Sequence, residues 1–259
     1  MFSLFYLNTW IALSLLALAA GSLGYFVVLR RSAFAAHALP MAAFPGGALA
    51  TLLGFDPLWG LGLFALLGVL FLRLFSRLGR RDVAMGLLLG SFLALGGLFL
   101  SLGREYAARV YGLLFGEVLG VSAAMLLPLG VLVAIVLLLL LWQFPRLLLQ
   151  SSSAELAAAQ AISSNRTDWL FFVLLALVAA AAVPVVGTLL VFTLLVSPAA
   201  AAQRLSRHPY LAWLWAIVLA ELLSWSAMAF SYWSNWPLSF FVGVEGALLF
   251  LLSRVIARS

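Results

Sequence analysis

Apolar runs broken by short polar stretches set the pattern of this chain. A helix of about 20 apolar residues crosses the hydrocarbon core of a bilayer, and these runs have that length. The pattern predicts spans over about Leu4–Leu29, Ser32–Leu53, Leu58–Phe75 and Val83–Leu102, with the turn Gly54-Phe55-Asp56-Pro57 closing the second. Residues 104–118 are too polar to cross and read as an outer-surface loop or a short re-entrant helix. A fifth span is predicted over about Leu119–Trp142, followed by the longest polar stretch, Pro145 to Asp168. The run from Trp169 to Ala202 is too long for one helix, so it divides near Pro184 and Gly187 into two spans, short or broken. Spans at about Leu211–Tyr232 and Leu238–Ile256 complete an all-α bundle of eight or nine transmembrane helices.

Charge orients this bundle. Of the 14 basic residues none is lysine, and all but Arg104 and Arg109 fall on the same side when the spans are counted. Basic loops are retained in the cytoplasm, so the N-terminus is expected outside and the C-terminus inside. Met1–Leu29 has neither a basic leader nor a small-residue cleavage site and reads as a first span.

Composition agrees. Residues are 66% hydrophobic and only 8% charged, where a soluble domain carries about 25% charged residues. The net charge of +6 belongs to membrane anchors, since no arginine run is interleaved with exposed aromatics as in nucleic-acid readers. With no cysteine, disulfides and thiolate metal ligands are excluded. One domain, residues 1–259, accounts for the whole chain, with a cytoplasmic segment at about 146–168.

Polar residues inside spans carry the candidate chemistry, because a charge at the bilayer centre costs about 2.5–3.5 kcal/mol and is usually turned inward. His37 and Met41 lie four apart and share a helical face, where imidazole and thioether can bind a transition metal. A lone histidine near the interface can equally hydrogen-bond backbone while the methionine packs. Glu221 and Glu245 can line a cation path, carry protons, or bond to Ser224, Ser226 or Ser239. Glu117, at the outer start of the fifth span, is a further candidate or is simply solvated at the outer face, and His208 reads as a solvated loop residue. The chain has no phosphate-binding Gly-rich loop with lysine, no His-Glu-x-x-His and no Gly-x-Ser-x-Gly, so it is not expected to be an enzyme. Any ATPase must be another chain.

Four segments resemble the membrane permeases of ABC-type zinc/manganese importers. Gly24–Arg31 with His37–Gly46 is similar to that family's second-helix signature, and Tyr111–Glu117 to its outer-loop motif. Glu155-Leu156-Ala157-Ala158-Ala159-Gln160 resembles the cytoplasmic segment before the sixth span, and Val186–Phe192 through Pro198–Ala202 is the nearest match of the four. The resemblance implies a homodimer in the bacterial cytoplasmic membrane, cytoplasmic ATP-binding subunits and an extracytoplasmic metal-binding protein. It also implies alternating access, with Glu155, Leu156, Ala157, Ala158, Ala159 and Gln160 coupling the permease to its ATPase. His37, Met41, Glu221 and Glu245 are then the candidate ligands of a transported divalent metal.

The likeness departs where cargo is chosen. Family members typically place Asp and His four apart on the second helix, and those positions here hold His37 and Met41. Losing a hard carboxylate disfavours manganese and leaves zinc the expected ion, although another cargo stays open. Pro237-Leu238-Ser239 stands where Pro-Ser-Gly is usual, and no Asp-Pro precedes Glu155. The alternative is a stand-alone ion- or proton-coupled carrier using Glu221 and Glu245. A non-transporting membrane scaffold is the remaining class.

Overall fold

Helix ends follow local chemistry. In the computed structural model, which describes residues 4–76, 81–103, 112, 116 and 121–256, the chain forms α1 (Leu4–Leu29), α2 (Ala33–Leu53), α3 (Pro57–Ser76) and α4 (Arg81–Ser101). Then come α5 (Ala123–Ser152), α6 (Ala154–Ala159), α7 (Ser164–Val186), α8 (Thr188–Leu205), α9 (Pro209–Ser234) and α10 (Leu238–Ile256). Helix α2 stops at Gly54, whose φ of 78° turns the chain so that the Phe55 N–H reaches the Ala50 carbonyl at 2.8 Å. Helix α3 then starts at Pro57, with the Asp56 carboxylate accepting the Leu58 N–H at 2.8 Å. Among the described residues there is no strand. Among the described residues eight helices are long and apolar enough to cross a membrane, and α8 is a shorter apolar helix.

The long apolar run divides where expected, near Pro184 and Gly187, and the fifth span ends later than expected. The break falls at Gly187 alone, while Pro184 stays inside α7. Gly187 takes φ 86° and ψ 152°, a region open essentially to glycine, and so permits a reversal that proline cannot. Helix α5, for its part, runs through Pro145 to Ser152. The segment expected at 146–168 is therefore the end of α5, the short α6 and the start of α7. Gly187→Ala should destabilise the protein by about 1–3 kcal/mol, the usual cost of forcing a side chain into such a conformation. Thermal unfolding in detergent reads this, and an unshifted midpoint would show that the reversal tolerates other backbone geometry.

The bundle is built around α1. Its small residues admit neighbouring backbones: a Cβ on Gly21 would lie 2.7 Å from the Ile217 Cα of α9, and one on Gly24 would strike the Leu195 carbonyl of α8. Helices α2 and α3 meet in the same way, Gly46 against Gly60. Lipid offers apolar surface as good as a helix does, so close backbone packing and not hydrophobic burial holds such crossings. Helix α5 crosses α1 through aromatic contacts, with Phe144 edge-on to Phe26 and stacked on Tyr210 of α9. Helices α3, α4, α5 and α10 bury less than a third of their apolar stretches inside the bundle, as lipid-facing helices do.

One end of the bundle gathers the described arginines. The Gln203 amide of α8 donates to the Tyr25 carbonyl of α1 at 3.0 Å, Arg204 lies 4.5 Å over the Phe250 ring of α10, and Arg30 pairs with Asp168 of α7. The C-termini of α1, α8 and α10 and the N-terminus of α7 thus lie together, and α7 and α8 run antiparallel. Arg104, Arg109 and Glu117 lie outside the described residues.

Candidate functional site

His37 and Met41 sit on α2, the helix that α3, α4 and α8 enclose. Met41 is buried and His37 half-buried. The imidazole meets the Phe192 ring of α8 edge to face at 5.5 Å. Phe192 belongs to the segment whose resemblance was noted above, yet nothing in its own residue type pointed to a role beside His37. The aromatic contact helps to fix the plane of the imidazole.

The two glutamates lie elsewhere. Glu221 of α9 faces the Ser14 hydroxyl of α1, which also accepts from the Trp225 indole at 2.9 Å. Glu245 of α10 takes a hydrogen bond from Ser226 of α9. Each keeps one buried carboxylate oxygen without a hydrogen-bond partner among the described residues. Next to Glu245, Gly246 packs on Thr193, and its carbonyl accepts from Ser197, both of α8. Thr193 and Ser197 share one face of α8, and Phe192 points from another. Depth separates the groups as well. At 1.5 Å per residue, His37 is about 6 Å from the arginine-bearing end of its helix and the two glutamates about 17–18 Å from theirs.

His37 and Met41 thus stand one turn apart on α2, whereas Glu221 and Glu245 lie on α9 and α10 at another depth. Among the described residues no three of His, Asp and Glu are placed to hold one ion. What α2 offers is a sparse pair of borderline and soft donors, which suits passing an ion on better than retaining it.

At the arginine-bearing end, α6 projects as a separate six-residue helix. Ser153 caps it, its hydroxyl accepting the Leu156 N–H at 3.3 Å. Ala161 at φ 56° reverses the chain behind it. Ala157 is buried and roots the helix, while Glu155, Leu156, Ala158, Ala159 and Gln160 face outward. Leu156 is 58% exposed, an apolar knob beyond the span ends.

A family model described as ABC-3, the ABC 3 transport family, matches residues 3–257. The chain belongs to the ABC 3 transport family. As a member it is a transport component and not an enzyme. It is 30% identical to the manganese import system permease protein ScaB of Streptococcus parasanguinis, over 96% of this chain and 90% of the relative. It is 31% identical to the high-affinity zinc uptake system membrane protein ZnuB of Haemophilus influenzae, over 92% of each. The solved structure of PsaBC from Streptococcus pneumoniae in complex with Fab superposes with a TM-score of 0.87 at 28% identity, covering 96% of this chain and 90% of that one. The family and the all-helical fold expected from the sequence both stand. The similar proteins include both manganese and zinc systems, so membership in the ABC 3 family does not decide the ion.

Proposed function

We propose that this ABC 3 family member is the permease of an ATP-driven importer for a divalent transition metal, with zinc favoured over manganese. The observation that carries the choice is the pair on α2, His37 beside Phe192 and Met41 one turn on. Imidazole and thioether suit zinc, whereas manganese favours carboxylate and carbonyl oxygen. Two such permeases would enclose the path, with ATP-binding subunits gripping α6 from the cytoplasm and an extracytoplasmic protein delivering the ion. The arginines gathered at the α6 end support that orientation, and the exposed Leu156 supports α6 as the docking element. Alternating closure of the ATPases would drive α6 and open the bundle to one side and then the other.

The test is uptake in cells with and without this chain, offered zinc, manganese, iron and copper separately. Zinc accumulation should depend on the chain most strongly and should cease when the ATPase is inactivated. Equal dependence for manganese would remove the zinc preference. Uptake by the chain reconstituted alone, driven by an ion gradient, would instead favour a carrier working through Glu221 and Glu245.

A further inference from the structure

Three parts of the chain that are distant in sequence converge beside α6. Arg30, at the elbow between α1 and α2, pairs with the Asp168 carboxylate at the start of α7 and donates to the Gln150 side-chain oxygen at 3.3 Å. The Gln150 amide, in the last turn of α5, donates to Asp168 at 3.1 Å and to Ser164 at 2.7 Å. The guanidinium also lies 5.0 Å over the Phe171 ring, one turn along α7. Gln150 and Ser164 are the two feet of α6: the segment that leaves α5 to form the short helix and returns into α7 lies entirely between them. Side-chain exposure is 11% for Arg30 and 19% for Asp168. At that burial the pair is shielded from salt and its geometry is held, unlike a pair on the open surface.

The elbow itself is stiff. Helix α1 ends with Arg31 in the left-handed region at φ 54°, the Arg31 N–H reaching the Val28 carbonyl and the Ser32 N–H the Val27 carbonyl. Ser32 also donates its hydroxyl to the Arg30 carbonyl at 3.3 Å. Helix α2 begins at the next residue, and His37 lies in its second turn. A displacement of α6 thus has a short, hydrogen-bonded route to α2, from Gln150 and Asp168 through Arg30 and the 30–32 elbow.

We propose that Arg30, Asp168 and Gln150 form the strut that converts movement of α6 into movement of α2, which makes them positioning residues for transport. The inference rests on the reading of α6 as the ATPase-docking helix. Its test keeps the two separable because the chain has no cysteine, so Leu156→Cys gives a single thiol for cross-linking to a cysteine in the ATPase groove. The reconstituted permease–ATPase complex with its metal-delivering protein is assayed for zinc transported per ATP hydrolysed. Arg30→Gln and Asp168→Asn should keep the Leu156→Cys cross-link and ATP hydrolysis. The transport ratio should fall about tenfold, within the usual span of coupling between sites. The exchange Arg30→Asp with Asp168→Arg should recover much of that loss.

A merely stabilising ion pair would lower the yield of complex and leave the ratio unchanged in what assembles, and that result overturns the strut. If the single variants fail to assemble, Gln150→Ala decides, since it leaves the ion pair in place and cuts its tether to the α5 foot. A lowered ratio supports the strut, and an unchanged one removes it. Absence of the cross-link in the otherwise unaltered permease would refute the docking reading and the strut with it. A retained cross-link with an unchanged ratio refutes the strut alone.

Discussion

Gly24→Leu should yield no folded permease. A side chain at this position on α1 would drive its first carbon into the Leu195 carbonyl of α8, and a helix backbone cannot step aside as a flexible side chain can. Overpacking a well-filled core costs about 1–3 kcal/mol, and more where backbone must move. Because α1 contacts α5, α7, α8 and α9, displacing it disturbs four crossings together. Gly46→Leu should behave alike, since Gly46 and Gly60 approach backbone to backbone. The matched controls are Gly62→Leu and Gly97→Leu, where nothing stands within 4 Å of the added carbon. Those should be neutral or slightly stabilising, because leucine is the better helix former by several tenths of a kcal/mol. Detergent-solubilised protein surviving a heating series separates the two pairs. Equal survival of Gly24→Leu and Gly62→Leu would contradict the crossing described here.

Such crossings were not legible in the sequence, although the helices were. The limits expected for the first and last spans, Leu4–Leu29 and Leu238–Ile256, are those of α1 and α10, because apolar length and the arginines that end it are local properties. Local reasoning placed the break to within a few residues where two signals competed. Pro184 looked as good a breaker as Gly187, yet membrane helices tolerate proline when neighbours satisfy the freed carbonyl, whereas φ 86° with ψ 152° is open essentially to glycine. Pro145 was tolerated inside α5 on the same ground.

The candidate site was legible to a similar depth. The four-residue spacing of His37 and Met41 places both on one helical face, and spacing is all that such an inference needs. What lies against that face was hidden, since Phe192 reaches His37 from a helix far along the chain. So was the separation of Glu221 and Glu245 from the α2 pair, which depends on which faces of α8 its neighbours occupy. Arg30 read as a membrane anchor. Its partners Gln150 and Asp168, 120 and 138 residues away, belong to a fold that no local pattern discloses.

His37→Ala should reduce metal uptake to the level of cells lacking the chain, while complex assembly and ATP hydrolysis persist. The alanine keeps the helix and removes the one imidazole that α2 offers; the cavity left beside Phe192 is small enough that folding should survive. Met41→Leu conserves volume and should fold normally, so a fall in uptake there isolates the thioether from packing. The pair His37→Asp with Met41→His goes further, since it installs the hard carboxylate and the imidazole at the same four-residue spacing. Manganese uptake should then rise relative to zinc, because carboxylate oxygen is the donor that manganese favours. Competition between the two ions in the same cells is the measurement. Unchanged uptake in His37→Ala would exclude a role for the residue in the path, and an unchanged ion ratio in the double variant would show that selection is made elsewhere.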